Sequence, residues 1–237
     1  MREILPRVHK FLAARLSPKE ELGLHLTIGV LVMLFAAWVF GGIAEEVVEN
    51  EEITLLDDWL AHWFHARAHP VFIEAMMFIT HWHNTAGMML MTAALGTWLY
   101  LRTARYWALA LLFTVPGGML LNVALKHTFQ RARPSFDNPL LTLATYSFPS
   151  GHTVAATLFY GFAAAYLIHL TPRWKTRLMI AAGACLMVGL VGLSRMYLGV
   201  HYLSDVLAAV VEGCGWLAIC ISGVSTLRRR REGRRLG

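Results

Sequence analysis

Residues 106–134 read YWALALLFTVPGGMLLNVALKHTFQRARP: an uncharged run over 106–125, then at once Lys126, Arg131, Arg133 and Pro134. At 1.5 Å rise per residue that run is about 30 Å long, the depth of a bilayer's hydrocarbon core. A helix on the surface of a soluble domain would show one charged face, and this run has none. It reads as a transmembrane helix that ends abruptly on a cluster of cations.

Composition agrees. The chain of 237 residues is 57% apolar and only 15% charged, with a mean hydropathy of +0.50, against about 25% charged residues in a soluble domain. Those figures exclude disorder, collagen, coiled coil and a disulfide scaffold. Further apolar runs lie at 22–44, 153–170 and 206–227, and two shorter ones at 85–100 and 178–193 extend into flanking Trp, Tyr or small residues. The first run exceeds the roughly 7–15 apolar residues of a secretory signal and is kept as a span. The expected fold is all-α and polytopic, with six transmembrane helices. Its parts are a cytoplasmic N-terminal segment (1–21), a membrane domain (22–227) and a basic tail (228–237) that touches anionic headgroups. Cys185, Cys214 and Cys220 lie inside apolar runs without C-x-x-C spacing, and read as small buried apolar residues.

The net charge of +6 comes from basic clusters set between apolar runs rather than from a continuous basic face, which argues against nucleic acid. With both termini inside, all but five of the 21 Lys and Arg fall on the inner side, as the positive-inside rule requires. The five are Arg67, Lys126, Arg131, Arg133 and Arg195. The loop after the first run is acidic instead, with Glu45, Glu46, Glu49, Glu51, Glu52, Asp57 and Asp58. Trp38, Trp82, Trp98, Tyr100, Trp107 and Trp174 stand near the boundaries, as an interfacial aromatic belt does. Residues 53–69 have apolar positions near helical period and read as one amphipathic helix on the outer surface. Its His62, His65 and His69, with His81 and His83, lack a familiar ligand spacing and read as interfacial histidines rather than a metal site.

Three polar clusters fall at the outer ends of spans. The first is Lys126 to Pro134, the second Tyr146-Ser147-Phe148-Pro149-Ser150-Gly151-His152, and the third Ser194-Arg195 through His201 to Asp205. Cations near a membrane boundary are costly without a partner, so Lys126, Arg133 and Arg195 are functional candidates. Pro149-Ser150-Gly151 reads as a turn into a helix with Ser150 as N-cap; free N–H groups and the positive dipole end suit a phosphate. His201 and Asp205, four apart, share a helical face. The carboxylate would fix one imidazole nitrogen and free the other to attack. His152 would protonate a leaving oxygen. A nucleophile, an acid and a cage of cations describe metal-free phosphoryl transfer. Glu212, two turns beyond Asp205, reads as a buried hydrogen-bonded or protonated carboxyl, with a substrate-channel or proton role as the alternative, and Asn122 reads as orienting Lys126.

The three clusters resemble the signature of the type 2 phosphatidic acid phosphatase family, the lipid phosphate phosphatases related to vanadium haloperoxidases. K-x6-R-P is matched by Lys126 to Pro134, P-S-G-H by Pro149 to His152, and S-R-x5-H-x3-D by Ser194 to Asp205. The likeness runs over roughly residues 50–225. It departs at Leu203, where many bacterial members have Pro. The resemblance implies that His201 forms a phosphohistidine, Asp205 orients it and His152 is the acid. It also implies that Lys126, Arg133, Arg195, Ser150 and the Gly151 backbone hold the phosphate, with no metal or other cofactor and with inhibition by vanadate. The expected partners are membrane lipids and a lipid phosphate or diphosphate, in the order undecaprenyl diphosphate, phosphatidic acid, phosphatidylglycerol phosphate. The outer leaflet of a bacterial inner membrane is the expected location. A phosphotransferase using the same intermediate, or a lipid-binding protein without chemistry, are the rival readings.

Overall fold

A computed structural model describes residues 23–236, and among them every regular element is helical. The elements are α1 (Leu24–Glu49), α2 (Glu52–Ala66), α3 (Pro70–Trp82), α4 (Thr85–Leu101), α5 (Arg105–Phe129), α6 (Gly151–Leu170), α7 (Trp174–Tyr197) and α8 (Leu203–Leu236). Five of them, α1, α5, α6, α7 and α8, are long and apolar enough to cross a membrane. α4 has 17 residues, about 26 Å at 1.5 Å per residue. Large apolar side chains such as Phe35, Phe113, Leu120 and Met179 point outward, the reverse of a soluble surface.

The most buried of the long helices is α6, which packs on α5, α7 and α8, while α1 lies along α8. Its Val154, Leu158, Phe162 and Tyr166 meet Ala110, Leu111 and Val115 of α5 and Ala209 of α8. Close approach is bought by glycine at one place in particular. A Cβ on Gly118 of α5 would stand 2.4 Å from Leu158 Cδ1, so α5 and α6 meet backbone to side chain. Pro116 inside α5 removes the N–H that would pair with the Leu112 carbonyl, and close by the Trp216 indole of α8 donates to the Thr114 carbonyl at 3.0 Å, tying α8 to α5.

Several expectations are corrected. The helix expected over 53–69 runs from Glu52 to Ala66, and Pro70, at the first turn where its missing N–H costs nothing, starts a separate α3 that the sequence reading did not include. The span expected over 178–193 runs from Trp174 to Tyr197, and that over 206–227 continues as helix through the basic tail to Leu236. Cys185 and Cys214 are exposed on the apolar surface and Cys220 is half-buried, so the cysteines are not core residues. The segment 1–21 lies outside the described residues.

Candidate active site

The end of α5, the start of α6, the end of α7 and the start of α8 meet at one end of the bundle and bring the three sequence clusters there, the third bridging α7 and α8. A cavity of about 540 Å³ opens among them, walled by Lys126, Arg133, Gly151, His152 and His201. Its other wall is apolar, with Met89 of α4 and Met119, Leu120 and Val123 of α5, and of these Met89, Leu120 and Val123 are exposed on the outside of the bundle.

His201 precedes α8 and is buried. Its Nδ1 faces Asp205 Oδ2 at 3.2 Å, and its Nε2 lies 3.1 Å from Arg133 Nη1. The carboxylate therefore holds the proton on Nδ1 and leaves Nε2 as an acceptor on the cavity side. Burial pushes the His201 imidazole down to about 3, with Asp205 pulling the other way, so the ring is neutral. Asp205 is surrounded by donors: Oδ1 accepts from Arg131 Nη1 at 2.7 Å, and Oδ2 from the Tyr202 N–H at 2.9 Å and from the Ser147 hydroxyl. The Tyr202 bond closes the start of α8 with Leu203 as its first residue, so the helix begins there without a proline.

Lys126 and Arg133 share the carbonyls of one stretch of loop, 145–147. Lys126 Nζ donates to the Tyr146 and Ser147 carbonyls at 2.7 and 3.1 Å. Arg133 Nε donates to the Thr145 carbonyl at 2.6 Å, Nη2 to the Tyr146 carbonyl at 3.1 Å, and Nη1 to the Val200 carbonyl at 2.6 Å. Arg195 is the largest fully buried side chain in the described residues. Thr80 of α3 accepts from its Nη1, while Nε and Nη2 have no partner. A buried guanidinium with unused donors is a cost the fold would shed unless an anion completes it. Among the described residues His152 makes no hydrogen bond to protein, and its ring stands free in the cavity wall.

Three expectations need correction. Ser150 occupies the N-cap position of α6 but makes no capping bond with its side chain; it is buried, accepts from Thr153 Oγ1 at 2.9 Å and does not line the cavity. Asn122 does not touch Lys126 with a hydrogen bond. Its amide donates to Glu212 Oε2 at 3.0 Å and to the Pro149 carbonyl at 3.4 Å, tying the buried Glu212 to the loop before α6. His83 is not interfacial but buried, its Nδ1 on the Ile79 carbonyl and its Nε2 on the Tyr160 hydroxyl at 2.8 Å, at the cavity wall. Among the described residues no group of three or more His, Cys, Asp or Glu is arranged to hold a metal ion.

Fold and site together define a multi-span helical membrane protein that gathers cations and histidines at one end of its bundle. The PAP2 superfamily model matches residues 107–229. The chain is 31% identical over 171 residues to phosphatidylglycerophosphatase B of Bacillus subtilis (strain 168), a match covering 72% of this chain and 78% of that one. It is 35% identical over 124 residues to a lipid A 1-phosphatase of Rhizobium etli, 48% of each chain. The crystal structure of a transmembrane PAP2 type phosphatidylglycerolphosphate phosphatase from Bacillus subtilis superposes with a TM-score of 0.69 at 28% identity, over 81% of this chain and 94% of that one. That of Aquifex aeolicus LpxE, at 24% identity and TM-score 0.55 over 69% and 94%, shares the fold. The chain belongs to the PAP2 superfamily.

Proposed function

We propose that this protein is a membrane lipid phosphate phosphatase that works through a phosphohistidine on His201. The observation that carries the reading is the His201 ring: Nδ1 is turned to Asp205, while Nε2 faces a cavity shared with His152, Lys126 and Arg133. In the first step Nε2 attacks phosphorus, the bond from phosphorus to the lipid oxygen breaks, and His152, in its protonated form, gives that oxygen a proton. In the second, neutral His152 takes a proton from water, the oxygen attacks the phosphohistidine, and inorganic phosphate leaves with His201 restored. Lys126, Arg133, Arg195 and the Gly151 N–H stabilise the charge on the equatorial oxygens. Asp205 steadies the ring as it becomes cationic.

The apolar wall of the cavity, built of α4 and α5 side chains that are also exposed on the outside of the bundle, supports a lipid substrate whose tail stays in the bilayer while its phosphate reaches the cations. The names of the relatives favour phosphatidylglycerol phosphate over phosphatidic acid and undecaprenyl diphosphate. Six crossings place α4 as the second span. Arg102 over Trp98 and Arg105 over Tyr100, each 5.6 Å from the ring centroid, support an inner end there, since basic and aromatic residues gather at that interface. Both termini then face the cytoplasm of a bacterial cell, α2 and α3 rest on the outer surface, and the site opens to the outer leaflet.

Phosphate release from these three lipids in detergent with EDTA, by wild type and His201→Ala, tests the reading. Release by wild type that is lost in the variant is expected. Equal release by the variant would sink the nucleophile assignment, and transfer to a lipid or sugar acceptor without free phosphate would make the protein a phosphotransferase.

A further inference from the structure

Asp57 is 1% exposed, on a helix whose neighbouring acids Glu52 and Asp58 are exposed. Around α2 it shares the inward face with Ala61, opposite a stripe of exposed Leu55, Trp59 and Trp63. Its Oδ1 accepts the backbone N–H of Ser204 at 2.9 Å, and its Oδ2 accepts from Arg131 Nη2 at 2.8 Å and from the Ser204 hydroxyl. Ser204 is the second residue of α8. Asp57 therefore satisfies an N–H that the first turn of α8 leaves open and adds negative charge at its positive end, an N-cap supplied by a different helix.

Arg131 joins this to the candidate nucleophile. Gln130, at φ 47, turns the chain out of α5 and sends Arg131 inward. Its fork is divided: Nη2 goes to Asp57, and Nη1 reaches Asp205 Oδ1 and the Ser204 hydroxyl, both at 2.7 Å. The guanidinium also lies 4.3 Å over the Tyr202 ring. Burial opposes its charge, yet Asp205 and Asp57 raise its pKa above the ordinary arginine value. With Oδ1 of Asp205 held by a planar, charge-assisted fork, the carboxylate cannot rotate, and Oδ2 is the oxygen left to face His201.

We propose that Asp57 and Arg131 are positioning residues for the Asp205–His201 pair, so that the short helix α2 is part of the reaction's support. The role rests on the phosphatase reading above and extends it to a residue outside the 107–229 stretch that the superfamily model matches. Arg131 touches no cavity wall, and Asp57 acts through Arg131, so both should change turnover rather than binding.

The test is a set of purified variants, Asp57→Asn, Arg131→Lys and the double variant, with Ala61→Val as a control that disturbs the packing of α2 without touching these bonds. Readouts are kcat, KM, the rate of phosphohistidine formation in a single turnover, and the thermal midpoint in detergent. Each single variant should lower kcat about tenfold or more, the usual scale for losing a partner that orients a reacting group, with KM within about twofold. Because both act through one link, the double variant should be no slower than the worse single one. Ala61→Val should keep its rate of phosphohistidine formation even if its midpoint falls. A wild type that releases no phosphate overturns the phosphatase reading and this role with it. A wild type that turns over, with Asp57→Asn and Arg131→Lys matching its kcat, overturns the positioning role alone, as would an equal loss in Ala61→Val. Should Asp57→Asn fail to fold, Arg131→Lys, which keeps the charge and loses the fork, decides the question by the same kcat and burst comparison.

Discussion

The Arg133 guanidinium stands on the free nitrogen of His201, Nη1 to Nε2 at 3.1 Å, while its other donors are held by loop carbonyls. In this arrangement the cation covers the lone pair that would attack phosphorus. An incoming phosphoryl group, a better acceptor than a neutral imidazole, would draw the fork onto its own oxygens and leave Nε2 free in the same movement.

Arg133→Lys keeps the charge and loses both the fork and its carbonyl anchors. It should lower kcat by about 100-fold or more, the scale of losing one fixed donor to transition-state charge, and should weaken vanadate inhibition in parallel. Steady-state kinetics with and without vanadate check this. A variant that loses turnover but binds vanadate as tightly as wild type would place Arg133 outside the cage.

The His201 imidazole, pushed down to about 3, sets the sign of a pH effect on stability. Its folded value lies below the reference of about 6.5, so the unfolded chain binds a proton over a range where the folded chain does not. The stabilisation is complete above about 6.5 and is lost progressively as pH falls toward 3. Thermal midpoints in detergent should therefore decline less steeply in His201→Gln than in wild type over that window. Parallel curves would mean that the ring is already charged in the folded protein.

Asn122 and Glu212 give a third prediction. Glu212 Oε1 has no partner and Oε2 has only the Asn122 amide. Asn122→Ala should cost about 1–3 kcal/mol by stranding a buried polar group, and by releasing the Pro149 carbonyl it should also slow turnover. Glu212→Gln keeps an acceptor for Asn122 and should stay close to wild type in both respects. Denaturation in mixed micelles and kcat measure the two. A Glu212→Gln enzyme that folds normally but loses turnover would restore the proton role for this carboxyl.

The long spans and the three clusters were legible because each is local: an uncharged run, or cations and histidines beside Gly, Ser and Pro, is visible within about ten residues. What was not legible is what joins residues far apart in the chain. Asp57 and Arg131 are 74 positions apart, and Thr80 and Arg195 115 apart. Asp57 stands among seven acids and on the polar side of an amphipathic helix, opposite Leu55, Trp59 and Trp63, and nothing in that pattern separates it from its exposed neighbours Glu52 and Asp58. α3 escaped because its 13 residues are too few for a span and are interrupted by Glu74, Thr80 and His81. The cysteines were misread because an apolar run does not say which of its faces meets lipid.

Gly199 carries the last prediction. It stands two residues before His201 at φ +69, and a Cβ there would lie 2.9 Å from Cε2 of Phe136, the ring that stacks on His65 at 4.1 Å. Gly199→Ala therefore meets two penalties, a left-handed backbone worth about 1–2 kcal/mol and a contact with a ring held in place by α2. Relief of either by rotation of the turn would move His201 relative to Asp205, so both stability and kcat should fall. Adding Phe136→Leu removes the contact but not the backbone strain, so the double variant should recover part of the stability and part of kcat. Thermal midpoints and kcat of the two variants measure this. Recovery of stability without kcat would mean that the turn had shifted for backbone reasons alone, and no loss in Gly199→Ala would mean that the turn does not need glycine.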